Sequence, residues 1–281
     1  MDCRSISARS QLYFDQNEKE AALLLESACV RSQSVIRQVW GLHEPKKCRI
    51  YVMTSLLHFI FHSAPWHTAV LWGLLLPLWY LRVRKVSRFC GGWTQRYRDR
   101  PAVGVKPPRL IEQADKSIGE LIFENEPDPN RKLEHIACHE LTHAYSAHLH
   151  LPMWLNEGIA MVAVDRYFGK QTVKSSTLNA LARFSPKHRN WKYRDLSRMK
   201  NEDIAYQYSR GYWITRFLLQ RHPDLLQEIL SRRQSHRSLE KRVAAALGCS
   251  RHSLWHAIDN TVSSHFGKGS LTGEQPSEPD N

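Results

Sequence analysis

The segment His139-Glu140-Leu141-Thr142-His143 sets two imidazoles four positions apart, with a carboxylate directly after the first. On an α-helix, side chains at i and i+4 lie on one face, about one turn apart. Two neutral imidazoles so placed can grip one divalent ion. The intervening carboxylate turns to the side, where it can take a proton from a water at that ion. Metal-assisted hydrolysis needs this set: ligands on one face and a base beside them. His135 continues the same helical face. The chain contains 15 histidines, so the pentapeptide gains weight only from what surrounds it.

A hydrolytic zinc site takes three protein ligands and leaves a position for water, so a third ligand must come from elsewhere in the chain. A metzincin pattern would need Gly at 146 and His at 149, but the residues there are Ser146 and Leu149. His148 and His150 fall at the end of the same helix, on its exposed side. Asp165 suits a supporting or ion-pairing role better than ligation. Downstream lies Pro152-Met153-Trp154-Leu155-Asn156-Glu157-Gly158-Ile159-Ala160.

HELTH followed by WLNEGIA resembles the gluzincin zinc peptidases. The short gap from His143 to Glu157 and the preceding Pro152 resemble the smaller bacterial peptidase MA-like family more than the large aminopeptidases. The resemblance covers residues 118–260 and extends to ALGCS and LWHAI near the C-terminal end. It implies an α+β gluzincin-type fold and one Zn2+ per chain, held by His139, His143 and Glu157. It also implies peptide-bond hydrolysis with Glu140 as general base. Tyr208-Ser209-Arg210-Gly211 is similar to the Y-x-K-G context of those enzymes, with Arg in place of Lys. That similarity implies a phenol aimed at the oxyanion of the tetrahedral intermediate. Tyr206 competes for the role. Phe123-Glu124-Asn125 is faintly similar to the amine-gripping GxMEN element, but it sits too close to the histidines for that role to be carried over. An alternative reading is a membrane-associated scaffold or regulator that keeps the zinc fold without turnover, although an intact Glu140 argues against it.

These residues need elements to position them. A loose apolar face of Leu23, Leu24, Ala28, Ile36 and Val39 predicts a helix over 17–42. Strands are expected at 48–53, 102–105 and 121–123, the last as the edge strand along a substrate cleft. Asp128 and Pro129 open a helix to about residue 148, and Pro152 opens the next, to about 167. Further helices are expected over 203–221, 223–232, 239–247 and 250–266, with Gly248 between the last two. This order divides the chain into an N-terminal helical segment (1–46), a strand-containing lobe (47–126), a helical catalytic lobe (127–266) and a disordered polar tail (267–281). The zinc site is expected between the mixed first half and the all-helical second half.

The formal net charge is +13, which favours an anionic partner. No standard nucleic-acid motif is present, so nucleic acid is not expected despite Trp93 and Tyr97 among Arg96, Arg98 and Arg100. Six cysteines at irregular spacing, none in a CxxC pair, point to a reducing compartment and no disulfide framework. The first twenty residues have no apolar core of the kind a secretory signal needs, which points to the cytoplasm. From Tyr51 to Leu81 the chain has no Asp, Glu, Lys or Arg, and Arg82, Arg84, Lys85 and Arg88 follow at once. Such a run fits either a membrane-bound element or a buried strand and helix. Pro65 and Pro77 disfavour a straight span. Residues 64–88 are therefore expected to form an apolar, cation-flanked insertion that meets an anionic membrane surface.

Overall fold

The structure, a computed structural model, describes residues 1–97, 100–115, 118–184 and 193–268. The chain folds as α+β around one mixed five-stranded sheet, in the order β1-β2-β3-β5-β4. β1 (Asp2–Ser5) pairs antiparallel with β2 (Ser10–Phe14), and β2 runs parallel to β3 (Cys48–Val52). β5 (Arg100–Val105) is parallel to β3, and β4 (Gly92–Tyr97) closes the sheet antiparallel to β5. Parallel neighbours need a long crossover. Between β2 and β3 it is α1 (Lys19–Trp40). Between β3 and β5 the chain passes through α2 (Leu56–Ser63), α3 (Trp66–Leu74) and α4 (Leu76–Phe89) before β4.

Alternation along β3 sorts its side chains to two faces. Cys48, Ile50 and Val52 join the main core with α1 and the later helices, whereas Tyr51 and Met53 join a smaller core with Leu56, Phe59 and Ile60 of α2. The later helices begin with α5 (Pro108–Asp115) and α6 (Gly119–Ile122). The long α7 (Pro129–Ser146), α8 (Met153–Phe168) and α10 (Asn201–Arg221) follow, with α9 (Thr177–Phe184) between the last two. α11 (Pro223–Ser231), α12 (His236–Ala246) and α13 (Leu254–Lys268) complete the fold. Gly248, at φ 62°, makes the left-handed turn after α12, where the sequence calls for a break.

Several expectations need correction. The first 46 residues are not only helical, because β1 and β2 lie there. Their signal is the alternation in Ser10-Gln11-Leu12-Tyr13-Phe14, with Leu12 and Phe14 buried. Within α1 the buried stripe runs through Ala22, Leu25, Ala28, Cys29 and Ile36, and Leu23 faces outward. No strand forms at 121–123. Gly119–Ile122 closes a helical turn, capped by the Phe123 N–H on the Gly119 carbonyl (2.8 Å), and Phe123 makes only an isolated bridge to Val173. The edge strand along the cleft is instead β4, in the basic stretch around Arg96, where no strand is expected from the sequence. The tail at 269–281 lies outside the described residues.

The most extensive packing between two described elements joins α8 and α10. Two glycines permit it. A Cβ on Gly158 would fall 2.0 Å from Thr215 Oγ1 and 2.3 Å from the Gly211 carbonyl oxygen. One on Gly211 would fall 2.2 Å from the Trp154 carbonyl oxygen. Backbone atoms cannot rotate aside, so the helices would have to part. Gly158→Ala or Gly211→Ala should each cost about 3 kcal/mol, at the upper end for overpacking. The corresponding fall in Tm is roughly 6–12 °C for a domain of this size. An unchanged Tm in either variant would contradict this crossing.

Candidate metal centre and cleft

α7 begins where Asp128 accepts a hydrogen bond from the Asn130 N–H (2.9 Å), with Pro129 in the first turn. The helix presents Leu133, Ala137, Leu141 and Ala144 to the core. It ends at Ser146 and tightens into one 3-10 turn, and His150 then adopts a left-handed conformation (φ 54°) that turns the chain. Pro152 follows and α8 starts, so the two helices form a hairpin. The Ser146 hydroxyl donates to Asn156 Oδ1 across it (3.0 Å). Glu157 thereby comes back alongside the histidines.

His139 Nε2 lies 3.1 Å from Glu157 Oε2 and 3.0 Å from His143 Nε2, and His143 Nε2 is 3.5 Å from Glu157 Oε1. The three ligand atoms all lie within 4.8 Å of one another, close enough to hold one metal ion. Tetrahedral zinc with bonds of ~2.0–2.1 Å needs ligand atoms roughly 3.3 Å apart. The spacing found here is near that value, and two neutral nitrogens with one carboxylate are a suitable donor set. The electrostatics favour positive charge between these residues. Burial works against charge on Glu157, which is 2% exposed, but the His143 and His139 imidazoles outweigh it and hold the carboxyl far below its usual range. Burial likewise opposes charge on His143, yet Glu157 and then Glu140 raise it to about 9. A buried carboxylate requires a compensating cation; His143 as an imidazolium can serve, and a metal ion held by the three residues would do the same.

Glu140 turns from this cluster toward β4. The Thr94 hydroxyl lies 2.6 Å from Glu140 Oε2 and 2.9 Å from the Glu140 carbonyl oxygen, so it donates to the residue from the strand. Gly92 makes room: a Cβ there would sit 2.6 Å from Glu140 Cγ and 2.5 Å from Ile136 Cγ2. His139, Glu140, His143 and Glu157 all open into one cavity of about 690 Å³, walled on one side by β4. Tyr208 of α10 lines the same cavity. Burial, followed by the nearby Glu157 and Glu140 carboxylates, pushes its phenol well up, so it keeps its proton. Tyr206 stands about 200° round the helix from Tyr208. Its hydroxyl approaches Asp259 Oδ2 (3.4 Å), away from the cavity. Arg210 is also structural: it is buried and pairs with both carboxylate oxygens of Asp259 at 2.8 Å, with its guanidinium over Trp255.

The rejected ligands are accounted for. Asp165 accepts from the Tyr212 hydroxyl (2.6 Å) and from Thr172. His135 packs edge-on against Phe123, and burial pushes it down to about 3, so it is neutral. His150 is not on the outer side of a helix. It follows the helix end and lines the cavity.

Two site residues, Thr94 and Tyr193, have no counterpart in the sequence reading. The Tyr193 hydroxyl donates to Glu157 Oε1 (2.6 Å) and accepts from Asn156 Nδ2 (2.7 Å). Tyr193 lies 36 residues beyond Glu157, in a short 3-10 segment with no local motif, so only the fold reveals the contact. No protein-family model, curated protein or solved structure matches the chain.

The geometry separates ligands from support. His139→Ala, His143→Ala and Glu157→Ala should each abolish tight binding of a divalent ion, measured by competition with a chromophoric chelator. Tyr193→Phe removes only a hydrogen bond that orients Glu157 and should weaken binding about tenfold, the lower end for loss of a supporting partner. Full occupancy in Glu157→Ala would remove Glu157 from the ligand set.

Proposed function

We propose that the chain is a zinc-dependent peptidase of the gluzincin kind. The observation that carries this reading is the placement of Glu140. It sits in the same cleft as the His139, His143 and Glu157 cluster, and its carboxylate is held by Thr94 beside that cluster and not within it. Zinc bound by those three residues would supply Lewis acidity, lowering the pKa of a water and polarising a carbonyl.

The chain's own groups do the rest. Glu140 takes a proton from the attacking water on its carboxylate and returns it to the amine as the C–N bond breaks. The Tyr208 phenol, protonated at neutral pH, donates to the oxygen that becomes negative at the tetrahedral stage. Thr94 fixes Glu140 beside the cluster, as a base and not a ligand. Tyr193 and Asn156 keep Glu157 in its ligating rotamer.

The substrate is a polypeptide. β4 is the last strand of the sheet, pairs only with β5 among the described residues, and lines the cleft. An extended chain can add to such an edge by backbone hydrogen bonds. All six cysteines are free thiols, which fits a reducing compartment such as the cytoplasm.

The test uses zinc-loaded protein and a mixture of unstructured peptides, with cleavage sites read by mass spectrometry. Wild type should cut. Glu140→Gln should retain zinc and lose cleavage, because it removes a proton acceptor and no ligand. Tyr208→Phe should lower kcat on the order of a hundredfold with little change in KM. Zinc-loaded wild type that cuts nothing, with Glu140→Gln indistinguishable from it, would favour the scaffold reading instead.

A further inference from the structure

α3 and α4 form a bent pair of helices joined at Leu75, with Pro77 in the first turn of the second. One side faces the protein. Trp72 and Trp79 pack on each other, Trp72 approaches Tyr97, Trp79 approaches Phe61, and Val83 and Val86 join the same small core. The other side faces water. Trp66, Val70, Leu74, Leu78 and Leu81 recur at helical spacing across the bend, and each is between 58% and 79% exposed. Most of the exposed large apolar side chains among the described residues lie on these two helices. An unbroken apolar stripe of this kind is uncommon on a surface that meets only solvent. No described helix is long and apolar enough to cross a membrane.

The charge along this stretch of the sequence is of one sign. Between Glu44 and Asp99 the sequence contains no acidic residue, while Lys46, Lys47, Arg49, Arg82, Arg84, Lys85, Arg88, Arg96 and Arg98 fall within that span. A surface groove of about 920 Å³ runs from Pro65, His67 and Trp72 of the α3 region to Arg9, Lys46, Lys47 and Arg100, with no acidic side chain among its lining residues. Arg9, Lys46, Lys47 and Arg100 are exposed. Glu44, two residues before Lys46, is taken up by the hydroxyls of Ser7 and Ser10. The groove joins chain segments distant in sequence, so the apolar run alone does not disclose it.

We propose that the outer face of α3–α4 and the adjoining basic groove form a single docking surface for a bilayer rich in anionic lipid. The apolar stripe enters the boundary between headgroups and acyl chains, to a depth of ~5–10 Å, as an in-plane amphipathic element does. Trp66 and Tyr80 suit that boundary. The groove cations take the lipid phosphates and carboxylates. A second copy of the chain is a poorer occupant, since it would set the same positive charge against itself.

α4 also links this surface to the cleft. Val86 lines the cavity, and it lies roughly 12 Å along the helix axis from Leu78 of the stripe. On the peptidase reading, docking would bring the cleft to polypeptide lying close to the lipid surface. The docking itself does not depend on that reading.

Flotation of the full chain with vesicles tests the proposal without any activity assay. The vesicles are phosphatidylcholine alone or phosphatidylcholine with phosphatidylserine. Wild type should float with the mixed vesicles, at least about tenfold more than with phosphatidylcholine alone, and the preference should shrink in high salt. Leu74→Asp combined with Leu78→Asp should stay at the bottom of the gradient with an unchanged Tm. Lys46→Glu combined with Lys47→Glu touches only exposed side chains, keeps the fold, and should lose most of the phosphatidylserine preference. Wild type that ignores mixed vesicles overturns the proposal. So does binding indifferent to phosphatidylserine and to the Lys46 and Lys47 changes. Self-association in sedimentation that the Leu74 and Leu78 changes abolish, without vesicle binding, would make the face an interface between copies.

Discussion

A carboxylate that is almost wholly buried, Glu157, faces two imidazole nitrogens across about the width of one metal ion, and much of the fold arranges that encounter. An unpaired charge in such a place would cost several kcal/mol. The chain meets the constraint with a helical hairpin. α7 supplies both histidines from one face, a left-handed residue and Pro152 reverse the chain, and α8 returns Glu157 within its first two turns. Gly158 follows immediately. It has no side chain because α10 crosses there at backbone contact, and that crossing carries Tyr208 into the cavity. One residue after the buried acid, the sequence is therefore set by packing and not by chemistry.

The sheet contributes through its last strand. Gly92 lets β4 approach α7 closely enough for Thr94 to hold Glu140, so the proposed base is oriented from outside its own helix. The ligands come from helices and the support for the base from a strand. Separating the two jobs keeps Glu140 out of the ligand cluster although it is adjacent to His139 in sequence. Tyr193 and Asn156 do for Glu157 what Thr94 does for Glu140.

Local signals carried much of this into the sequence. Helical spacing places His139 and His143 together, and Asp128, Pro129 and Pro152 mark helix starts that the structure places there. Gly248 marks a helix end. The choice between Tyr206 and Tyr208 could not be made from a four-residue motif, because it depends on which face of α10 meets α8 and which meets α13. Tyr193 and Thr94 were illegible for the same reason: each reaches the site from a segment far away in sequence. The misplaced edge strand has a local cause. Leu121-Ile122-Phe123 has strand composition, but the Phe123 N–H bonds the Gly119 carbonyl and closes a helical turn instead, and β4 lies in a basic, polar stretch that does not have the look of a strand. Within the apolar run one face packs on the smaller core, as a buried element would, and the other face is exposed.

Zinc-edge X-ray absorption of the purified chain tests the central claim most directly, because it reads the ligands themselves. The account predicts one ion per chain with two imidazole nitrogens at ~2.0–2.1 Å, carboxylate oxygen at ~2.0–2.2 Å, and a further light atom from solvent at the open position. A sulfur shell at ~2.3 Å would place the ion on cysteine, in a closed structural site. That result, or a folded chain that takes up no zinc, would contradict the account.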